Sequence, residues 1–413
     1  MARIFVVGIA NLHNLGDFLI YYCTIKILRK YLRNETITFL FPRSNNLYLP
    51  KELKELYINE RVSFLSFTYD YTLLRKIITA IAVSPKTSRL NKNLVLTTWY
   101  IFDQIEKTYD LDIDYSADFV VFGGHTYWVF NPIFTALYNS FRYKAEKMIA
   151  FPLSVSVFGL NRYGYHELIR QKVLNNMGKF DYIYTRGRFS YKILKSFGIN
   201  EERLGIALDP AFYIRKVFPH GINKNRSKLR VSVTPRKDMF INKEDYLQYA
   251  SNLLNFIIRL RREFDIEIYL TSLAFDADYE AIKDIMHNLK LFTDLEFQVV
   301  KFTSLKDALQ FYNTIDIMIT SRLHDGILGI SASKPVIFIF PHDSKILDVL
   351  SMLGPEFKFN WIYPNDPHMS VRLLQNVKYL IGNYKSFKKE LENRIEKLIP
   401  TTETIAEKIK EMV

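Results

Sequence analysis

Residues 315–340 read IDIMITSRLHDGILGISASKPVIFIF, and this stretch decides the fold class. One apolar run, 315–320, is followed by a polar turn, a short helical segment and a second apolar run, 335–340. Continuously apolar strands that a helix separates are typical of parallel sheets covered on both faces. The stretch therefore predicts a strand–helix–strand unit of an α/β protein.

The same alternation recurs along most of the chain. The first helix is the clearest, because Tyr21, Ile25, Leu28 and Leu32 recur at helical spacing. We therefore expect two doubly wound, Rossmann-like α/β domains that face a cleft, with ligands at the carboxyl ends of the strands. Nine further strands are predicted, at 3–8, 36–41, 62–67, 118–123, 148–158, 181–185, 229–234, 266–271 and 297–302.

The best domain boundary is FPHGINKNRSKL, 218–229, which is polar and basic and carries Pro and Gly. The chain after Tyr384 is predicted as two helices that Pro400 separates. We expect an N-terminal α/β domain, a linker, a C-terminal α/β domain and C-terminal helices, over residues 1–218, 219–229, 230–383 and 384–413.

Composition limits the class of protein. Apolar residues make up 48% and charged residues 24% of the 413 residues, which excludes wholesale disorder. The single cysteine, Cys23, excludes an internal disulfide framework and a cysteine-based zinc site. The net charge of +13 favours an anionic partner, which is a phosphorylated small molecule, a nucleic acid or an acidic lipid surface. The basic segments lack the context of a nucleic-acid-binding motif, so we expect no nucleic acid partner.

The chain has no apolar window long enough to span a bilayer, and its first residues do not have the pattern of a signal peptide. We therefore expect a cytoplasmic protein. Residues 72–102 carry five basic residues and no acidic one. That stretch fits peripheral contact with an anionic inner-membrane surface or a lipid-linked acceptor, or else a solvated basic helix pair. The second alternative is favoured, because basic surface is common in a chain with this charge.

Two motifs in the first half follow predicted strands. In NLHNLGD, 11–17, Gly16 permits a tight turn and Asp17 can cap the next helix, so its N–H groups can hold an anion or a hydroxyl. In FGGHTYW, 122–128, two glycines let the backbone approach a ligand, and the following histidine and aromatics suit proton handling and sugar stacking. The alternative for the first motif is a plain capped turn. The alternative for the second is a glycine bend whose aromatic side chains pack in the core.

The strongest candidate site lies in the opening stretch. Arg322 and His324 follow a strand at the start of a helix. An arginine offers a permanent, forked donor to a carboxylate or a phosphate, and a histidine can give or take a proton near neutrality. The structural alternative is an Arg322–Asp325 ion pair beside a hydrogen-bonded histidine.

Further cations at strand exits are Arg236, Lys345 and the pair Arg186 and Arg188. Each fits a phosphate-handling cleft, and each taken singly also fits an ordinary surface charge. The acidic pairs at 112–114 and 276–278 resemble metal-binding patterns that occur often by chance, so we expect no metal site.

The ordered set of these motifs resembles the polysaccharide pyruvyl transferase family. The most specific part is the block from Ser321 to His324 with the downstream Lys345. The chain has His125 where the family tends to have a third glycine, and Gly187 where it tends to have Asp. The other matching segments are 14–17, 123–124, 186–190 with Leu194 and Gly198, 208–212, 233–236, and Gly329 with 334–335.

The resemblance implies a two-domain GT-B-like fold and transfer of a pyruvyl group from phosphoenolpyruvate to sugar hydroxyls of a cell-surface polysaccharide or glycan. It implies that Arg322 binds the donor's carboxylate or phosphate and that His324 is the general acid. Arg236, Lys345 and Ser321 would complete a donor site in the C-terminal domain, without metal or other cofactor. The acceptor side or cleft would include Asn14, Gly16, Asp17, Gly123, Gly124 and His125.

Two other functions remain open from the sequence. One is a GT-B glycosyltransferase that uses a nucleotide sugar, because a fold does not fix a function. The other is a non-catalytic protein that binds a glycan or a membrane surface, which the net charge and residues 72–102 would serve.

Overall fold

We describe the protein from a computed structural model. The described residues are 2–7, 14–42, 52, 55–56, 62–67, 116–124, 126–128, 141, 144–156, 166–218, 228–240, 242–273, 277–292, 297–340, 344–354, 357 and 361–413. The basic stretch 72–102 and residues 219–227 of the predicted linker lie outside them, so the proposed membrane contact and the domain boundaries stay predictions.

The first half of the chain forms a sheet of parallel strands in the order β3-β2-β1-β4-β6-β7-β8, with β5 paired to β6. The strands are β1 Arg3–Val7, β2 Thr36–Pro42, β3 Ser63–Phe67, β4 Ala117–Phe122, β5 Thr126–Trp128, β6 Ala145–Ser156, β7 Tyr182–Thr185 and β8 Leu204–Ile206.

The second half forms a parallel sheet in the order β11-β10-β9-β12-β13-β14. Counted from its first strand, this is the doubly wound order 3-2-1-4-5-6, in which the crevice lies between the first and fourth strands. Here those strands are β9 and β12. The strands are β9 Leu229–Thr234, β10 Ile266–Ser272, β11 Gln298–Lys301, β12 Ile317–Thr320, β13 Val336–Ile339 and β14 Trp361–Ile362.

Helices cover these sheets. The described helices are α1 Leu15–Tyr31, α2 His166–Met177, α3 Arg188–Ser196, α4 Ile214–Val217, α5 Lys243–Glu263, α6 Ala277–Phe292, α7 Leu305–Asn313, α8 Leu323–Ser331, α9 Ser344–Leu353, α10 Met369–Gly382 and α11 Tyr384–Met412. Short 3-10 turns lie at Glu201–Arg203 and Pro210–Tyr213. No helix among these described residues is long and apolar enough to cross a bilayer.

The predicted fold class is confirmed, and a strand forms at each of the eleven predicted positions. The apolar runs were the right signal, because all four residues of β12 and of β13 are buried. Three short strands, β5, β8 and β14, were not predicted, because two or three residues carry too little pattern.

The two-helix prediction for the C-terminal tail is wrong, since α11 runs through Pro400 as one helix. The residues after the proline bind the first half of the chain. The Leu208 N–H donates to Thr401 Oγ1 at 3.0 Å, and Thr402 Oγ1 donates to the Leu208 carbonyl at 2.7 Å. Glu403 adds ion pairs with Lys30 at 2.7 Å and Lys216 at 3.3 Å. Pro400 lacks the N–H of a helical hydrogen bond and so favours a break in the helix. These contacts keep α11 continuous at that point.

Candidate functional site

The candidate site lies where β9 and β12 end. Arg322 follows β12, and its guanidinium binds two carboxylates that the sequence did not single out as its partners. Nε and Nη2 lie 2.7 and 2.6 Å from Asp278 Oδ1, and Nη2 lies 3.2 Å from Asp238 Oδ1. Burial lowers the pKa of Arg322, but the two carboxylates raise it by more, so it stays charged. The predicted alternative partner, Asp325, is not one of these contacts.

Arg236 follows β9 and joins the same cluster. Its Nε and Nη2 donate to the two oxygens of Asp238, at 2.5 and 3.1 Å, and its guanidinium lies 6.0 Å from the Phe340 ring centroid. Ser321, predicted as a donor-binding residue, is fully buried and hydrogen-bonded to Tyr249 at 3.0 Å. Tyr249 also accepts from the Arg236 N–H at 3.4 Å. The structure therefore places Ser321 behind Arg236, where it supports the turn.

His324 lies where the two halves of the chain meet. Its side chain is 14% exposed, and Nε2 is 3.5 Å from Arg186 Nη1 and 3.9 Å from Asp209 Oδ2. Nδ1 is 3.9 Å from Asp17 Oδ1. A Cβ on Gly16 would come within 2.9 Å of His324 Cβ, so only a glycine lets α1 approach this closely. The imidazole is thus held between elements of both halves, and it is not enclosed in the core.

Arg186 and Asp209 form an ion pair that is almost completely buried. Arg186 Nη1 donates to Asp209 Oδ2 at 2.6 Å, and the two side chains are 1% and 0% exposed. Burial raises the pKa of Asp209, and Arg186 opposes that rise. The buried Nε of Arg186 has no hydrogen-bond partner among the described residues. The sequence identified Arg186 only as a cation at a strand exit, and the structure adds it to the site.

A buried carboxylate anchors the first turn of α8. Asp325 accepts hydrogen bonds from Thr234 Oγ1 at 2.6 Å and from Tyr312 Oη. Thr234 Oγ1 is also hydrogen-bonded to Thr271 Oγ1, at 2.6 Å. Burial raises the pKa of Asp325 to about 6, which these hydroxyl donors only partly counter. Asp325 and Leu323 are both buried and fix the first turn of α8, whereas the side chains of Arg322 and His324 stay 11% and 14% exposed.

A second contact joins the two halves beside the site. Asp348, in α9, accepts from the Ser190 N–H at 3.0 Å and from Ser190 Oγ, so it caps α3 of the other half. Ser190 Oγ in turn accepts from the Val155 N–H at 2.7 Å. A Cβ on Gly187 would lie 2.5–2.7 Å from the Asp348 backbone. The contact explains why this chain has glycine at 187, since an aspartate there would collide with α9.

The remaining predicted residues have varied positions. The N-cap of α1 is Asn14, whose Oδ1 accepts from the Gly16 N–H at 3.0 Å, so the expectation that Asp17 caps this helix is wrong.

Gly123 and Gly124 are close-packed, because a Cβ on Gly123 would meet the Tyr21 ring at 2.9 Å and a Cβ on Gly124 would meet the Pro152 carbonyl at 2.5 Å. Lys345 is partly buried in the first turn of α9. His125 lies outside the described residues.

The arrangement can bind an anion and move a proton. Arg322 and Arg236 converge on Asp238 at the crevice where such folds bind ligands, and His324 follows Arg322 by two residues at the start of α8. The Arg186 guanidinium reaches the His324 imidazole from the other half of the chain. No group of three metal-ligating side chains occurs within the part of the chain that the structure describes.

Comparisons with known proteins bear on the family and the fold. A family model described as polysaccharide pyruvyl transferase matches residues 14–344. No curated protein matches the chain significantly. Many solved structures share the two-domain GT-B fold. A UDP-GlcNAc 2-epimerase from Neisseria meningitidis bound to UDP-GlcNAc is 12% identical, with 98% of each chain covered and a TM-score of 0.55.

Two further solved structures show the same likeness. The S. aureus MnaA–UDP structure is 13% identical, covers 95% of this chain and 91% of its own, and has a TM-score of 0.58. A glycosyltransferase from Rickettsia africae is 12% identical, with 100% of this chain and 98% of that chain covered and a TM-score of 0.54. At these identities the likeness shows the fold alone.

Proposed function

The chain belongs to the polysaccharide pyruvyl transferase family, and we propose that it moves a pyruvyl group from phosphoenolpyruvate to sugar hydroxyls of a cell-surface polysaccharide or glycan, as a ketal. The observation that carries the proposal is the convergence of Arg236 and Arg322 on Asp238 at the β9/β12 crevice. His324 follows Arg322 by two residues, and its Nδ1 lies 3.9 Å from Asp17 Oδ1. Phosphoenolpyruvate has a carboxylate and a phosphate, so its site requires several cations. A hydrogen bond to a charged group is worth roughly 1.5–3 kcal/mol.

The residues have separate roles in this proposal. Arg322 and Arg236 bind the acidic groups of the donor, and Lys345 enters from α9. We propose that no metal or other cofactor takes part. Asn14 and Asp17, at the start of α1, line the acceptor side with their hydrogen-bonded amide and carboxylate, which are 3.0 Å apart.

The reaction begins when His324 protonates C3 of the donor. This converts the methylene to a methyl group and makes C2 electrophilic, so that a sugar hydroxyl adds to C2. The C2–O bond to phosphate then breaks, phosphate leaves, and a neighbouring hydroxyl attacks C2 to close the ketal. Of the two hydroxyl protons released, one returns to His324 and the other goes to the departing phosphate. A positioned acid of this kind contributes roughly 10²–10⁴ in rate.

Turnover with sugar acceptors tests the proposal. The protein is incubated with phosphoenolpyruvate and a panel of glycans, and released phosphate and the mass of the acceptor are followed together. We expect phosphate release that depends on the acceptor, with a ketal on the product. The His324→Ala variant should lose both signals. Full activity of that variant would remove the general acid from this account, and turnover of a UDP-sugar in place of phosphoenolpyruvate would contradict the proposed donor.

A further inference from the structure

The two carboxylates that bind Arg322 differ sharply in their surroundings. Asp278 is completely buried, and besides Arg322 it accepts from the Leu273 N–H at 3.2 Å. The side chain of Asp238 is 44% exposed. Asp278 is therefore a fixed part of the protein, whereas solvent reaches Asp238.

Asp238 also binds in the way that an anionic ligand would. Its two oxygens form a fork-to-fork pair with Nε and Nη2 of Arg236, at 2.5 and 3.1 Å, and one of those oxygens reaches Arg322 Nη2 at 3.2 Å. Bidentate pairing of this kind is how arginines recognise carboxylates and phosphates. One aspartate side chain thus bridges the two arginines that converge at the crevice.

The position of Asp238 in the chain allows it to move. It lies in the turn after β9, two residues beyond Arg236, and not in a helix or a strand. The Asp238 side chain is nearly half exposed, and an incoming anion would take over its contacts with the two guanidiniums, so the turn loses little when the side chain leaves. Asp278, by contrast, is held in the first turns of α6, and its departure would leave a mostly buried guanidinium with one fewer partner.

We propose that the Asp238 carboxylate occupies, in the unliganded protein, the position of an anionic group of the donor, and that it leaves when the donor binds. Asp278 holds Arg322 in place throughout. The inference rests on the proposed function for the identity of the donor, but the exchange of one anion for another applies to any small carboxylate or phosphate. It makes Asp238 an internal competitor that sets the affinity of the site.

Binding of phosphoenolpyruvate by calorimetry, with inorganic phosphate as a second probe, tests this. Asp238→Asn should bind phosphoenolpyruvate about fivefold more tightly than the unchanged protein, because the competing charge is gone. Asp278→Asn should bind more weakly, because Arg322 loses its anchor. Asp265→Asn is the matched control, since it removes the same charge from a side chain that is 72% exposed and adjoins the amino end of β10. It should leave the affinity unchanged.

The outcomes separate the inference from the proposed function. Weaker or equal binding by Asp238→Asn, in a variant with an unchanged unfolding temperature, would overturn the inference and make Asp238 a support for Arg236. One outcome is that phosphoenolpyruvate does not bind, while phosphate binds more tightly to Asp238→Asn and more weakly to Asp278→Asn than to the unchanged protein. The proposed donor then fails and the inference stands. If neither anion binds to any variant, both fail.

Discussion

The Nε2 atom of His324 lies 3.5 Å from Nη1 of Arg186, although the two residues are 138 positions apart and follow strands of different sheets. Because a guanidinium has no acceptor, this contact is a hydrogen bond only while Nε2 carries no proton. The contact exists only when the two halves of the chain meet. The proposed acid therefore depends on the relative position of the two sheets, and the contacts that fix this position are open to test.

The buried pair behind His324 gives the first prediction. Arg186→Met leaves the Asp209 carboxylate buried without its partner, and it should lower the free energy of unfolding by ~3–5 kcal/mol. Adding Asp209→Asn removes the uncompensated charge, while its Oδ1 can still accept from the Ala211 N–H. The double variant should recover more than half of the loss in urea unfolding. A double variant as unstable as the single one would contradict the account of this pair.

The close approach of Gly187 to the Asp348 backbone, which joins the two halves, gives the second prediction. Gly187→Ala places a Cβ against the Asp348 backbone, and overpacking of this kind costs ~1–3 kcal/mol. The φ angle of Gly187 is −177°, an extended conformation open to any residue, so the effect is steric. Gly382→Ala is the matched control, because nothing lies within 4 Å of its Cβ, and it should leave stability unchanged or slightly higher.

The same variant should move the two halves apart. Cysteines introduced at Lys195 and Leu247, both more than half exposed, can carry a fluorophore pair, because the single native cysteine is buried. Energy transfer between the labels should fall in Gly187→Ala and stay constant in Gly382→Ala. Equal energy transfer in all three proteins would show that the relative position of the two halves does not depend on the close approach of Gly187 to Asp348.

The third prediction concerns pH. Burial raises the pKa of Asp325 from 3.8 to about 6, so the folded protein keeps its carboxyl group mostly neutral up to about pH 6. Its contribution to stability is complete below about pH 4 and is lost as the pH rises through 6. The difference in unfolding free energy between the native protein and Asp325→Asn should therefore fall by about 2 kcal/mol from about pH 4 to about pH 7. A difference that is constant over this range would show that the carboxylate is not strained by its burial.

Much of the fold could be predicted from the sequence, because buried parallel strands such as β12 and β13 are continuously apolar. The exceptions have physical causes. β14 has two residues and carries no periodicity. Pro400 is a strong local signal for a break, but the hydroxyls of Thr401 and Thr402 bind the chain at Leu208, and this tertiary contact overrides the local preference.

The cations of the candidate site and Asp17 were predictable from the sequence, whereas the carboxylates that pair with Arg322 and Arg186 were not. Arg322 and His324 stand out at the start of a helix, since their chemistry is local. Their partners Asp278 and Asp209 come from distant segments, and no spacing in the sequence connects them. The burial of Ser321 was likewise hidden, because its hydrogen-bond partner, Tyr249, belongs to the distant helix α5.

Equilibrium binding of phosphoenolpyruvate tests the central claim most directly, with UDP-N-acetylglucosamine as the competing ligand. We expect the native protein to bind phosphoenolpyruvate, and Arg236→Gln, which removes one cation without leaving a buried charge, to bind it at least tenfold more weakly. The UDP-sugar should bind neither protein. Tight binding of the UDP-sugar with no binding of phosphoenolpyruvate would contradict the account.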